Sequence, residues 1–495
     1  MEKRGSITLF LTLMLSLLLS LVSTSIQSVQ MAAARTQILN GMDIGLYSLF
    51  GQYDKNLLEK YELFAVDGSF GGGSLDMAGV YDNLEFYMKP VLKQNSQKLS
   101  VKQGGFSGYR LLTDEDGEIF YSQIVSYMQE TLGSQGIQLL LDRMSDRDRK
   151  TQEADQKANE VENKGSLSQY DSEMNQASSK SQQAAEEAAK RQEEQGGDFQ
   201  APSPDFQSPS SEPVKNPITV IKRIMKMGVL ELVLPSGKGI STAQIEKGNL
   251  VSVRELQKGM QMPDGFLPDE SYSGAVLFQQ YLISKLGNYT KPSKNSLAYQ
   301  MEYIYAGKNS DLDNLKSVAS RLLFLREGVN FACLLGDSVK RSQAQALATA
   351  IAAGFLIPPA ATVIESALLL CWAFAESILD VRELFDGGKI PLVKTGEEWQ
   401  ISLENLPELM NGLDSMRKKH EQGMNYEDYL QVLLLSSKRG QKIWRSMDMI
   451  EDTIRKSDGR PAFCLDSCIT AIEASVDVEA NRRKTFHVTR QYCYE

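Results

Sequence analysis

The sequence predicts a mostly helical α+β chain: an N-terminal transmembrane helix continuing into an amphipathic stalk, then two extracytoplasmic lobes joined by a disordered linker. Three observations predict it. A Leu-rich run without charge lies near the start, an abrupt polar stretch crosses the middle, and the apolar period changes from helical to two at the end.

Residues Ile7 to Val22 carry no charge, and Lys3 and Arg4 precede them. A positive flank of this kind keeps a leader of residues 1–5 in the cytoplasm and sends the rest of the chain outside. Sixteen residues at 1.5 Å each make about 24 Å, short of the ~30 Å hydrocarbon core and also suited to the apolar part of a signal peptide. Two features favour a retained span over residues 6–25. The small residues that a signal peptidase needs are poorly placed at Val22 with Thr24 or Ser23 with Ser25, and Thr24 to Asn40 has neither Pro nor Gly. Ile26, Val29, Ala33, Ile38 and Leu39 then continue the helix as a stalk, which Gly41 and Gly45 are expected to loosen.

Every fourth residue of this segment is small: Thr8, Thr12, Ser16, Ser20, Thr24, Ser28 and Ala32. In lipid, small and hydroxyl positions let helices approach closely, so Thr8, Thr12, Ser16, Ser20 and Thr24 are candidates for helix packing. Hydroxyls bonded to carbonyls of their own helix are the other open reading.

Further along, residues 26–144 read as the stalk and a membrane-proximal lobe, with a helix at Asp54 to Tyr61, a strand at Leu63 to Val66 and helix from there to about Leu141. Residues 145–216 are rich in Gln, Glu, Lys, Ser and Pro with few large aliphatics, the composition of a disordered linker. Residues 217–495 read as a helical lobe. Within it Val229 to Leu234 is expected to be a strand, and helices dominate from Gly274, including the apolar stretches Ala344 to Ile357 and Ala360 to Leu384. The charges Glu365, Glu376, Asp380, Arg382 and Glu383 make the second stretch a buried soluble helix and not a span. Alternation from Cys468 to Val478 and from Phe486 to Tyr494 predicts a C-terminal β-hairpin that could share a sheet with Val229 to Leu234.

The leader Lys3-Arg4-Gly5, the hydroxyl of Ser6 and the helix behind them resemble the start of pilin-like proteins. That resemblance implies cleavage between Gly5 and Ser6, although Phe10 stands where pilins carry Glu. Together with YDKNLLEKYELFAVDGSFG, GVLELVLP, CWAFAESILDVRELFDGGKIPLVK and YLQVLLLSSKRGQKIWRSMDMIE, the N-terminus resembles an uncharacterised bacterial family, a domain of unknown function met alongside genes of the tight-adherence (Tad) pilus and its secretion apparatus. The resemblance implies pilus or secretion-system partners through the N-terminal helix and brings no catalytic residues.

The remaining chemistry is sparse. A formal net charge of −10 argues against nucleic acid. The five cysteines, Cys333, Cys371, Cys464, Cys468 and Cys493, form no zinc spacing, and a Cys468 to Cys493 bridge is one open pairing. His420 and His487 read as ordinary residues. Ser236-Gly237-Lys238-Gly239 lacks the earlier glycine of a phosphate loop, and Asp311 to Asn314 lacks the turn glycine of a calcium loop. Gly68 to Gly73 reads as a flexible turn, and Asn288-Tyr-Thr is a glycosylation pattern without a secretory context to use it. Glu302, Glu327, Glu376 and Asp380 could form an acidic site, or an ion-pair network with Arg382. No catalytic residue, cofactor or metal is expected, and the lipid bilayer is the expected partner. The reading is of a single-span, non-enzymatic structural or assembly protein, with an extracytoplasmic ligand-binding module or a secreted enzyme as alternatives.

Overall fold

The computed structural model describes residues 2–94, 98–163, 167–176, 179, 183, 216–260, 262, 268–294, 296–355, 358–481 and 484–494, leaving aside the side chains of 2–6, 154–155 and 157–163. Among the described residues it is mostly helical with one small sheet. The first part holds α1 (Glu2–Phe50), α2 (Lys55–Tyr61), β1 (Val66–Asp67), α3 (Met77–Leu92), β2 (Leu99–Leu111) and α4 (Glu118–Asn163). Then come α5 (Pro217–Ile224), α6 (Val229–Val233), α7 (Tyr272–Lys285), α8 (Gln300–Ala306), α9 (Asp311–Gly336), α10 (Ser338–Gly354) and α11 (Ala361–Phe385). The chain closes with α12 (Leu409–Gly412), α13 (Tyr426–Leu435), α14 (Arg439–Ser457), β3 (Cys468–Ala480) and β4 (Lys484–Cys493).

Contacts group the chain into two units, each drawn from separated stretches. Unit 1 comprises Met1–Ile137, Glu246–Lys285 and Lys438–Glu495, and unit 2 comprises Gln138–Ile245 and Leu286–Ser437.

In unit 1 the central strand is β3. It pairs antiparallel with β2 over Leu99↔Ala480 to Leu111↔Ile469, with β4 over Lys484↔Ala480 to Cys493↔Ala471, and with β1 through Val66↔Ile469. One face of this sheet is covered by α1 and α3. Ile38, Met42, Leu46, Leu49 and Phe50 of α1 recur at helical spacing and meet Val80, Leu84, Met88 and Leu92 of α3 over Ile472, Ala474, Val476 and Val478 of β3. A fully buried side chain of this kind contributes about 1.5–3 kcal/mol, so this half of α1 is core. Local caps set the boundaries: Asp54 accepts from the Leu57 N–H at 3.0 Å, and Asp76 accepts from the Gly79 N–H at 3.0 Å.

In unit 2 the apolar α11 is surrounded by α9 and α10. A helix that is apolar all round needs such cover, and 78% of its most apolar window is buried. Asp337 both ends α9 and caps α10, accepting from the N–H groups of Val339 (3.0 Å) and Lys340 (3.1 Å).

Several expectations are corrected. Val229–Val233 is a short helix and not a strand, so the hairpin's sheet partners are β2 and β1. β2 occupies part of the stretch expected to be helical before Leu141; its glycines obscure the alternation of a strand. The first part of the stretch expected to be a disordered linker from residue 145 is helical: α4, which is broken at Gly133, runs on to Asn163, and residues 167–176 are helical. Its Ala, Glu, Gln and Lys are good helix formers, and buried Tyr170 accepts a hydrogen bond from Asn216 Nδ2 at 2.8 Å. The later part of that linker, 184–215, lies outside the described residues. Gly41 and Gly45 do not loosen α1; they admit α3. A Cβ on Gly45 would stand 2.7 Å from Met88 Cγ, and one on Gly41 would stand 3.2 Å from Leu92 Cδ2.

Candidate membrane-anchoring helix and buried charge networks

The first candidate is α1 itself. Its buried half begins at Ala34, while Leu9, Phe10, Leu13, Leu17, Leu21 and their neighbours through Val29 are exposed. None of its most apolar window is buried, and the helix is long and apolar enough to cross a membrane by length and composition. Ile7 to Ile26 are all on this bare half, which at 1.5 Å per residue measures about 29 Å and so matches a hydrocarbon core. Along the small-residue row, Thr12 Oγ1 donates to Leu9 O at 2.9 Å, and Thr24 Oγ1 donates to Ser20 O. Those two hydroxyls therefore have backbone partners within the helix. Ser16 and Ser20 lie on the bare half with them. Gly5 and Ser6, the expected processing residues, fall among the side chains outside the described set.

The second candidate is a buried network in unit 2. Glu376 and Asp380, one turn apart on α11, share the ammonium of Lys394, and all three side chains are fully buried. Arg326 of α9 donates from Nε to Asp380 Oδ2 at 3.0 Å, and from one terminal nitrogen to Leu392 O at 2.7 Å and Tyr429 Oη at 3.1 Å. Asn330 Nδ2 donates to Asp380 Oδ2 and to Ser377 Oγ, both at 2.9 Å. The N–H groups of Gln400 (3.0 Å) and Ile401 (3.1 Å) complete Glu376. Burial pushes the Glu376 carboxyl up against the pull of Lys394. For Asp380, burial is outweighed by Lys394 and Arg326, and the carboxyl stays below its ordinary range. Two cations thus meet two carboxylates with every oxygen engaged, an arrangement that holds α9, α11 and the 391–401 loop together.

Arg382 and Glu302, read together with that pair, are elsewhere. Arg382 pairs with Asp414 at 2.8 Å and donates to Leu232 O at 3.0 Å. Glu302 lies under Tyr426, whose hydroxyl donates to Oε1 at 2.6 Å; the Tyr289 N–H donates to the same oxygen at 2.8 Å. Sequence reasoning missed Lys394, Arg326 and Tyr429. The usable signal was Arg326 within LLFLREGVNF, a charge on an otherwise apolar helix face.

Unit 1 has its own network. Arg254 grips Glu451 at 2.5 and 2.7 Å and Asp466 at 2.6 Å, and Arg455 reaches Glu451 at 2.7 Å. Glu451, Cys464 and Asp466 lie close enough to share a metal ion, but the two guanidinium groups already neutralise these carboxylates. A cation would have to displace them. Nearby, Tyr109, Asp114, Lys258, Met260 and Trp444 line an open cavity of about 770 Å³. Asp114 is tied to its wall by the N–H groups of Leu111 (2.7 Å) and Gly259 (3.0 Å), and burial raises its carboxyl.

The remaining motifs are structural. Asp67 closes the Gly68 to Gly73 turn, accepting from the Ser69 N–H at 2.9 Å and from Arg460 at 2.7 Å. In the Ser236 to Gly239 loop, Lys238 donates to Phe385 O at 2.9 Å. Asp311 caps the Ala298 and Tyr299 N–H groups at 2.9 and 3.0 Å. Asn288 is buried and spends its amide on Glu427 at 3.1 Å. His487 forms an exposed cross-strand pair with Asp477 at 2.8 Å. None of the five cysteines is in a disulfide; Cys493 faces Ala471 across the hairpin, three residues from Cys468, so that bridge does not form.

Fold and site together define an α+β protein of two units, with an N-terminal helix apolar enough to span a membrane and buried ion networks that are internally satisfied. Residues 207–480, more than half of the chain, match the family of unknown function DUF5702, and the protein belongs to that family. No curated protein and no solved structure matches it.

Proposed function

We propose that the protein is a single-span, membrane-anchored structural or assembly protein and not an enzyme. Its N-terminus is cytoplasmic and the bulk of the chain lies outside, where it serves as a component or accessory of a Tad-type pilus or secretion apparatus. The observation that carries this reading is the division of α1: a bare apolar half continues without a break into a half that is core of unit 1. Such a helix couples a membrane position rigidly to a folded body. Lys3 and Arg4 support the orientation, and the pilin-like leader with the family resemblance supports the apparatus. The polar Ser- and Pro-rich stretch before residue 216 keeps, from composition, the role of a spacer in the extracytoplasmic body.

A second reading, an extracytoplasmic ligand-binding module, is favoured by the cavity beside Trp444. Membrane fractionation with N-terminal sequencing of the mature protein tests the first. A membrane-held product beginning at Met1 or Ser6 is expected, the latter indicating pilin-type processing. A soluble product cut near Thr24 would overturn the anchor. Replacing Ser16 and Ser20 with Leu should leave insertion intact and weaken partnering of the helix in the membrane.

A further inference from the structure

We propose that unit 1 carries a basic collar at the base of the bare helix, and that this collar binds the anionic headgroups of the bilayer holding that helix. The inference rests on the anchor reading above. Three sets of contacts fix which parts of unit 1 stand at that base. Gln37 Nε2 donates to the carbonyls of Val91 (2.8 Å) and Leu92 (3.3 Å), so the C-terminal end of α3 lies beside Gln37. Arg490 reaches Asp43 at 2.9 Å, the rings of Tyr492 and Tyr47 meet at 6.5 Å, and the Tyr494 hydroxyl donates to Phe50 O. Strand β4 therefore runs along α1 in the same direction. Going back from Arg490 to Lys484 at about 3.3 Å per residue moves about 20 Å towards the bare half, the rise of about 13 helical residues. Lys98 belongs to the same end, since its N–H donates to Asn481 Oδ1 at 3.2 Å and its carbonyl accepts from the Asn481 N–H at 3.0 Å.

Arg35, Lys93, Lys98 and Lys484 thus gather where α1 leaves the body, and all four are exposed. Their neighbours Lys89 and Lys102 are neutralised by Glu85 (3.2 Å) and Glu479 (3.1 Å), whereas among the described residues these four have no acidic partner. Height decides the ligand. Arg35 is nine residues beyond Ile26, a rise of about 13 Å. The headgroup layer occupies about 5–8 Å of that, and the remainder is within one Debye length of about 8 Å at physiological salt. A chain of net charge −10 that concentrates cations without acidic partners among the described residues at this height presents them to lipid phosphates.

The test uses the full chain reconstituted into vesicles of phosphatidylcholine, alone or mixed with phosphatidylglycerol. Alkali-resistant flotation reads the anchor, and amine acetylation of individual lysines followed by mass spectrometry reads the collar. Lys93, Lys98 and Lys484 should label about tenfold more slowly in the mixed vesicles, with the difference lost at high salt, while exposed Lys55 labels equally in both. In the K98E/K484E variant, flotation should persist and the lipid dependence of Lys93 labelling should disappear. Flotation with identical labelling in the two lipids would overturn the collar and leave the anchor standing. Loss of flotation in both lipids would overturn the anchor, and the collar with it.

Discussion

The carboxyl of Glu302 is fully buried, and burial pushes it up to about 7 against the hydrogen bonds from Tyr426 and the Tyr289 backbone. Its Oε2 has no hydrogen-bond partner among the described residues, which leaves room for a proton there. The unfolded chain would ionise this group near its ordinary value of 4.5, so between that value and about 7 the folded state holds the extra proton. Stability from this group is therefore full below about 4.5, falls as pH rises to about 7, and is level above; the loss is roughly 3 kcal/mol. Urea unfolding at pH 5 and pH 8 should show this fall in the native protein and a smaller one in Glu302→Gln. Equal falls in the two proteins would exclude Glu302 as the source. In the second buried network the concern is charge balance. Lys394→Met leaves Glu376 without its cation and should cost about 3–5 kcal/mol, and adding Glu376→Gln should recover part of that by restoring neutrality. A double variant no more stable than the single one would show that packing, not charge, dominates there.

At the scale of elements, α1 and α3 show what close packing demands. Glycine lowers helix propensity by about 1 kcal/mol, and that cost alone made Gly41 and Gly45 look like weak points. The stalk itself was legible in the run from Ile26 to Leu39, of which Ile38 lies in the core while Ile26, Val29 and Ala33 are exposed; Met42, Leu46 and Leu49 carry the helical spacing on into the core. The approach of α3 was not, since no local pattern announces which neighbour a glycine faces. Gly45→Val should therefore destabilise unit 1 by about 1–3 kcal/mol, despite removing a glycine from a helix, through overlap with Met88 and Leu84. A rise in melting temperature would refute the close approach. The strands divide in the same way. β3 announces itself through Ile472, Ala474, Val476 and Val478, and β4 through its alternation. β2 carries Gly104, Gly105 and Gly108 and breaks register at Val101/Gln103, Phe106/Gly108 and Arg110/Leu111, so it has no clean period of two. The run VLELV in α6 is too short and too apolar for periodicity to separate strand from helix. The Glu376–Asp380 pair was visible as spacing on α11, but Lys394 and Arg326 come from other segments, and only folding brings them there.

For the whole molecule, the decisive feature is that unit 1 is assembled from stretches far apart in sequence. Its central strand β3 comes from residues 468–480, while the partner strand β2 and the covering helices α1 and α3 come from the first 111 residues. The family match ends at residue 480 and contains β3 without those partners. A fragment of residues 207–495 would keep the hairpin but leave Ile472, Ala474, Val476 and Val478 open on the face that α1 and α3 cover, and would leave the other edge of β3 unpaired. Exposed apolar surface next to an unpaired edge favours aggregation. Expressed alone, this fragment should be insoluble or bind a hydrophobic dye strongly. Supplying residues 30–137 as a second chain, which omits the bare helix, should restore solubility and form a complex that survives gel filtration. If the fragment alone proved monomeric and cooperative in unfolding, the hairpin would need no cover from the N-terminal segment, and rigid coupling of a membrane helix to the body would lose its structural basis.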